Sequence, residues 1–318
     1  MLLAKGISKG MDVDESMIDS INTCTTCGLC EQMCPAGAKP TDVFEELRRE
    51  LVEMGKVTGS QLELYNNTLL TGNPLGEKRS GTSFILEQRD VPKVADYVYF
   101  VGCLGSYRFR EDALRTYDLI KDMGVAVLSD EVCCGSPLLR TGFDAKELIR
   151  HNLEQIEKTG AHTIIASCAG CYNTFKNDYS DRFNVVHITE FLAEHIDELG
   201  LGRLNLTVTY HDPCHLGRAN RIFDAPRKLI MAVCDLKEMR TNRENARCCG
   251  GGGGVRKSYP DLSASIAKKR IMDVPDGVDH IVTCCPLCRV NLEQASDVPV
   301  IDLLDLLDMA QKEGSKAD

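Results

Sequence analysis

"RCCGGGGGV" (Arg247–Val255) and "EVCCGSP" (Glu131–Pro137) decide how this chain is read, because each sets two adjacent cysteines directly before glycine. Working outward from each pair, the same cysteine order recurs. Cys103 precedes Cys133–Cys134, and Cys168-x-x-Cys171 follows; Cys214 precedes Cys248–Cys249, and Cys285-x-x-Cys288 follows. The separations are similar, and the repeat implies a duplicated module rather than two unrelated loops.

The cysteines punctuate alternating apolar and amphipathic stretches. "YVYFVGC" (Tyr97–Cys103), "VAVLSD" (Val125–Asp130), "HTIIASC" (His162–Cys168), "LTVTYHDPC" (Leu206–Cys214) and "HIVTCCPLC" (His280–Cys288) are short β-branched and aromatic runs, most of them running into cysteine. Helical patterns separate them, as in "REDALRTYDLIKDMG" (Arg110–Gly124), Ala225–Val233 and Leu262–Ile271. Strands alternating with helices predict an α/β fold of two pseudo-duplicated βα modules with short parallel sheets. The modules are assigned to residues 96–205 and 206–318, with a C-terminal helix closing the second. Residues 56–95, rich in Gly, Asn and Ser near the start, are expected to be a linker with at most a short helix.

Residues 1–55 differ. Cys24-x-x-Cys27-x-x-Cys30-x-x-x-Cys34-Pro35 is the bacterial-ferredoxin spacing for a cubane [4Fe–4S] cluster, with a zinc knuckle as the alternative. "TDVFEELRRELVEMG" (Thr41–Gly55) carries an apolar stripe at Val43, Phe44, Leu47, Leu51 and Met54. This predicts a small all-α, helical ferredoxin-like domain ahead of the modules.

Composition narrows the function. The 318 residues carry a formal net charge of −10, which argues against a nucleic-acid surface. No apolar run reaches the roughly 18 residues of a membrane span, and the start "MLLAKGISKG" lacks secretory-signal features, so a cytoplasmic protein is expected. Sixteen cysteines in a chain of this size and setting point to metal or redox work rather than a disulfide framework. Thiolate is a soft ligand that selects iron–sulfur clusters, zinc or Cu(I). Five cysteines per module exceed the four of tetrahedral zinc. Gly135, Gly250 and Gly251 would let backbone amides approach cluster sulfur, because no Cβ stands in the way. The glycine run is not a phosphate loop, since no Gly directly precedes Lys257.

The modules resemble the cysteine-rich (CCG) domain of heterodisulfide reductase and its relatives, which include iron–sulfur subunits of glycolate, lactate and anaerobic glycerol-3-phosphate dehydrogenases. The resemblance runs from about Tyr97 to Ala295 and is carried best by "SCAGCYNTFKNDY" (Ser167–Tyr179), "HDPCHLGR" (His211–Arg218) and "CCPLCRVNL" (Cys284–Leu292). The N-terminal motif resembles the ferredoxin domain fused to it in larger members, although those usually carry two cysteine runs and this chain has one. The resemblance implies one noncubane [4Fe–4S] cluster held by Cys103, Cys133, Cys134, Cys168 and Cys171, and another held by Cys214, Cys248, Cys249, Cys285 and Cys288. The two would face each other and split a disulfide, such as the coenzyme M–coenzyme B heterodisulfide, between them. The alternative is a non-catalytic electron conduit for a flavin-linked 2-hydroxy-acid or glycerol-3-phosphate dehydrogenase.

Further expectations attach to single residues. His215, beside Cys214, is the candidate catalytic proton donor, with a structural role as the alternative. Arg140, Arg218 and Arg256 are candidates to meet anionic substrate groups. Cys234 is either a buried small hydrophobe or a remote ligand, and Cys284 competes with Cys285 for a place in the second set. The tail "VIDLLDLLDMA" (Val300–Ala310) either docks a partner or packs on its own domain. Without flavin or nicotinamide fingerprints, the chain is expected to take electrons from another subunit: a flavoprotein, a ferredoxin-like protein or a membrane cytochrome that would also hold it at the membrane periphery.

Overall fold

The computed structural model describes residues 2–7, 9–78 and 81–316. Met1, Ser8, Arg79, Ser80, Ala317 and Asp318 lie outside them, the middle pair within the expected linker. Eight short strands form two four-stranded sheets, every pairing parallel. In the first, β1 (Tyr97–Phe100), β2 (Val125–Val127), β3 (Thr163–Ala166) and β4 (Asn184–His187) lie in the order β2-β1-β3-β4. In the second, β5 (Thr207–Tyr210), β6 (Asp235–Leu236), β7 (His280–Thr283) and β8 (Val300–Asp302) repeat it as β6-β5-β7-β8. The expected fold class, two duplicated βα modules behind a helical N-terminal unit, is the one observed.

The central strands bury every residue after their first, Thr209 and Thr283 included, the pattern of a parallel sheet covered on both faces. Parallel strands point their carboxyl ends the same way, so residues following β1 and β3, or β5 and β7, converge on one edge. The duplication extends to register. Phe100 lies opposite Ala166, two residues before Cys168, and His211 follows Tyr210, which lies opposite Val282. Tyr99 is thereby matched by Tyr210, Phe100 by His211, and Ser167 by Cys284. The tyrosines show it directly: the Tyr99 hydroxyl meets Ser167 Oγ at 3.0 Å, and the Tyr210 hydroxyl meets Cys284 Sγ at 2.9 Å.

The modules embrace reciprocally. The helix after β4, Ile188–Glu194, packs on Asp224–Val233 of the second module, while the helix after β8, Leu303–Gly314, packs on Arg110–Ile120 of the first. The C-terminal stretch therefore packs on this chain: Leu303, Leu304, Leu306 and Leu307 are buried, and Asp302 caps the helix through the Leu304 amide. Its first residues, Val300–Asp302, form the edge strand β8 rather than helix.

Residues 56–95 are not a mere connector. Thr58 and Gln61 form a capping box that starts a helix over Gly59–Thr71. Gln61 donates to Asn22 of the N-terminal unit, Ser60 bonds Ser258 of the second module, and Tyr65 stacks on Phe143 of the first at 4.6 Å. The polar composition that suggested a linker reflects a helix whose side chains bond three neighbours. Ahead of it, the helices Glu15–Asn22 and Pro40–Glu53 close a small core of Ile7, Val13, Ile21, Leu47 and Leu51. No helix among the described residues is long and apolar enough to cross a membrane.

Arg289, on the helix after β7, joins the modules. It donates to Asp112 at 2.6 Å and Asp305 at 3.0 Å, and its guanidinium lies 4.8 Å over the Phe109 ring. Arg289→Ala removes charged hydrogen bonds worth about 2 kcal/mol. A lowered apparent melting temperature is expected in thermal unfolding of the anaerobically purified chain.

Candidate metal centre

The loops after the strands gather the thiols into two clusters at the sheet edges. In the first module the Cys103 thiol reaches Cys133, Cys133 reaches Cys134, Cys134 reaches Cys171, and Cys171 reaches Cys168. The second repeats it: Cys214 with Cys248, Cys248 with Cys249, Cys249 with Cys288, and Cys288 with Cys285. All ten expected module cysteines are thus brought together in two fives, and Cys168 touches Cys285 where the sets meet. Most of these sulfurs are buried, while Cys103, Cys168 and Cys214 keep partial exposure.

Hydrogen bonds set the charge state within each cluster. The thiols of Cys133 and Cys171, with the Ser136 amide, hold Cys134 well below its ordinary pKa. Cys248 and Cys288, with the Gly251 amide, do the same for Cys249. The glycine amides approach sulfur as expected: Gly250 N–H donates to Cys248 Sγ at 3.2 Å, and Gly251 N–H to Cys249 Sγ at 3.4 Å. Gly135 and Gly250 both take left-handed φ, +93° and +91°, which turns the chain away after each cysteine pair.

The rest of the glycine run has a second task. A Cβ on Gly252 would stand 2.5 Å from the Thr25 carbonyl oxygen, and one on Gly253 would stand 2.4 Å from that of Cys24. The N-terminal cysteine loop therefore lies directly on the second module's backbone. The Cys27 thiol reaches Cys248, while Cys24, Cys27 and Cys30 interact electrostatically with one another. Cys34 sits in the turn after the helix Leu29–Gln32, its amide on the Glu31 carbonyl.

The Cysteine-rich domain (CCG) family model matches residues 97–176 and 208–293, which together make up more than half of the chain. The chain belongs to this CCG family. Among its relatives, a dihydromethanophenazine:CoB–CoM heterodisulfide reductase subunit of Methanosarcina mazei is 36% identical over 312 residues, covering 91% of this chain and 76% of that protein. A fumarate reductase (CoM/CoB) subunit of Methanothermobacter marburgensis is 34% identical over 309 residues, with 92% and 62% covered. The EtfAB:quinone oxidoreductase of Syntrophomonas wolfei is 30% identical over 330 residues, with 91% and 46% covered.

In this CCG protein the donor chemistry fits iron–sulfur ligation. Each module offers five thiols rather than four, and amides already point at sulfur, the pattern that serves clusters. None of the cysteines is in a disulfide. Cys284 bonds the Tyr210 hydroxyl and occupies the place of Ser167, so it stands apart from the set that Cys285 and Cys288 complete. Cys234 is buried in the second module's core, its thiol on the Ile230 carbonyl, and is not a remote ligand for the N-terminal motif.

Three expectations about polar residues need correction. Burial, with Arg140 nearby, pushes His215 down to about 4, so its ring is neutral near pH 7 and is not a ready acid. Its Nε2–H points at the Thr26 carbonyl, 3.3 Å away, in the Cys24–Cys27 loop where Thr26 takes φ +51°. Its place is structural. Arg140 is committed to Glu45 and Asp178, Arg218 to the carbonyls of Cys27, Glu244 and Ala246, and Arg256 to Asn291. Arg140 and Arg218 are therefore not free to hold an anion, whereas Arg256 spends a single N–H on a neutral amide.

Two residues escaped the sequence reading. Arg48, fully buried, donates to the carbonyls of Ile21, Asn22, Cys24 and Arg140. His211 has a ring nitrogen within 4.8 Å of both Cys249 and Cys288 sulfurs. His211 carried a signal in the alignment of the two modules, where it stands against Phe100; Arg48 looked like any helical surface charge.

Cys284→Ser installs the residue that the first module already uses, and unchanged iron content is expected. Cys285→Ser is expected to lose about four irons per chain, read by iron and sulfide analysis. Gly253→Ala, at about 1–3 kcal/mol of overpacking, should disturb the N-terminal loop and leave the first module's spectrum intact.

Proposed function

We propose that this chain is the iron–sulfur subunit of a heterodisulfide reductase-like complex, reducing a disulfide of the coenzyme M–coenzyme B type to two thiols. Cys24, Cys27, Cys30 and Cys34 would hold a cubane [4Fe–4S] cluster. Cys103, Cys133, Cys134, Cys168 and Cys171 would hold one noncubane [4Fe–4S] cluster, and Cys214, Cys248, Cys249, Cys285 and Cys288 the other. Bound there, these groups would supply the two electrons and the sulfur-binding metal that disulfide cleavage needs.

The observation that carries the reading is the meeting of the two five-thiol sets at Cys168 and Cys285, beside the partly exposed Cys103 and Cys214. A disulfide has two sulfurs, and two facing centres give each a place. The printed names of the Methanosarcina relatives, which cover most of this chain, support the same substrate class. The protein's own residues gather the thiols, aim Gly250 and Gly251 amides at them, and keep most of them away from bulk water. Through Gly252 and Gly253 they seat the N-terminal loop against the second set rather than the first. Two protons must accompany the two electrons, and with His215 neutral and turned to Thr26 they would enter from water or a partner at the exposed edge.

A partner must deliver the electrons; a flavoprotein, a ferredoxin-like subunit or a membrane cytochrome subunit would serve, and the last would place the chain at the membrane periphery. The second reading, electron transfer for a flavin-linked dehydrogenase, draws on the name of the Syntrophomonas relative, of which the chain spans 46%.

Anaerobically purified protein is expected to hold about twelve irons, four per cluster. With reduced viologen it is expected to convert the coenzyme M–coenzyme B disulfide to thiols. Iron-loaded, partnered protein that turns over no disulfide would leave the electron-transfer reading, and zinc in place of iron would end both.

A further inference from the structure

His211 is the point at which the two modules differ in chemistry beside the thiols. It follows β5 three residues ahead of Cys214, as Phe100 stands three residues ahead of Cys103. Phe100 is an apolar ring packed edge-on against Phe175 at 4.7 Å. His211 is 1% exposed, and Arg270, wholly buried on the helix Pro260–Ile271, donates from Nε to its Nδ1 at 2.9 Å. A guanidinium only donates, so Nδ1 accepts and the neutral ring carries its hydrogen on Nε2. That Nε2 is buried without a hydrogen-bond partner among the described residues, an expensive state for a donor unless something accepts from it. A ring nitrogen of His211 lies within 4.8 Å of the Cys249 and Cys288 sulfurs, and with Nδ1 committed to Arg270, Nε2 is the nitrogen left to face them.

Arg270 is itself held. Its Nη1 donates to the Thr241 carbonyl at 2.7 Å and to Asp273 at 3.3 Å, so the tautomer of His211 is fixed from a rigid base. Arg270 also lies within electrostatic reach of Cys249, adding positive charge on that side. At the first set a buried group of another kind stands near: Glu131 accepts from the amides of Val101 and Gly102, and burial, with the Cys134 charge, pushes its carboxyl up to about 8.

We propose that the Nε2–H of His211, aimed by Arg270, donates a hydrogen bond to sulfur of the group held at Cys249 and Cys288 once it is bound, and keeps that group easier to reduce than its counterpart in the first module. Hydrogen bonds to sulfur stabilise the more negative, reduced state and raise the potential. The duplicated modules are therefore unequal, and the more readily reduced one is the one on which the N-terminal loop sits. His211 is a donor and not a ligand, because the nitrogen that faces sulfur bears the hydrogen.

The inference rests on iron–sulfur occupancy as proposed above, and the test separates the two. EPR-monitored redox titration compares the full wild-type chain with His211→Phe, which installs the first module's residue, and with His211→Gln, which keeps an N–H. The signal of the second set is identified as the one that Cys288→Ser abolishes. In His211→Phe, the reduced-to-oxidised ratio of that signal at fixed poise is expected to fall about tenfold, or about 59 mV for one electron. The first set's signal should stay put, and His211→Gln should recover part of the shift. An unmoved second signal in an iron-loaded variant overturns the proposal. Wild type labelled with 15N-histidine gives a reading free of any variant: weak coupling in ENDOR spectra supports a donor, whereas strong coupling of an iron–nitrogen bond, or none, overturns it. A wild type that holds no iron sinks the occupancy, not the role of His211.

Discussion

The buried guanidinium of Arg48 is the contact on which the arrangement of the three units depends. It donates to the carbonyls of Ile21, Asn22 and Cys24 in its own unit and to that of Arg140 in the first module. The same group packs beneath Gly253 of the second module and its backbone lies against Gly142 of the first. A charge taken out of water is costly unless its donors are satisfied. Here Nη1 and Nη2 are satisfied by main-chain oxygens, that of Cys24 in the cysteine loop among them, which ties the loop to the first module, while Nε is buried without a hydrogen-bond partner among the described residues. Desolvation lowers the pKa of Arg48, while the nearby Cys24 favours its charge. The cation thus stands beside Cys24, one of three thiols in that loop whose pKa values are raised by burial and by neighbouring thiols.

Two copies of one module have kept their sheet order and their five thiols while exchanging the residues beside them. Ser167 is answered by Cys284 and Phe100 by His211; the paired tyrosines bond Ser167 on one side and Cys284 on the other. This explains why the second module closes on three cysteines, Cys284, Cys285 and Cys288, where the first closes on two. The extra thiol has taken over a serine's hydrogen bond rather than joined the ligands. The reciprocal helix packing holds the sheet edges together, so divergence at such positions alters the chemistry without moving the thiols.

Much of this was legible in the chain because cysteine spacing and strand patterning are local signals. The runs at Tyr97, His162, Leu206 and His280 became β1, β3, β5 and β7, and the two sets of five thiols assembled as their order implied. The edge strands β4, β6 and β8 went unread: β6 has only two residues, β8 opens a stretch patterned like a helix, and β4 runs into no cysteine. The helix at Gly59–Thr71 was masked by Asn, Thr and Gln; Thr68 and Thr71 bond carbonyls of their own helix, and Gln61 reaches Asn22 in the N-terminal unit. His215, Arg140 and Arg218 were misjudged for one reason: nearness to a cysteine in sequence says nothing about where a long or planar side chain finds its acceptor. Arg218 turned to backbone carbonyls and His215 to Thr26 because the N-terminal loop, distant in sequence, sits against them.

The run Gly250–Gly254 leaves a mark on how this protein can vary. Most tight interfaces are made of side chains, and a change on one side can be answered by a smaller or larger residue on the other. At Gly252 and Gly253 the opposing atoms are the main-chain oxygens of Thr25 and Cys24, which no substitution can trim. A methyl group added there has no second-site remedy short of moving the whole cysteine loop. The contact is built from atoms that are missing, and evolution can only preserve it or abandon it.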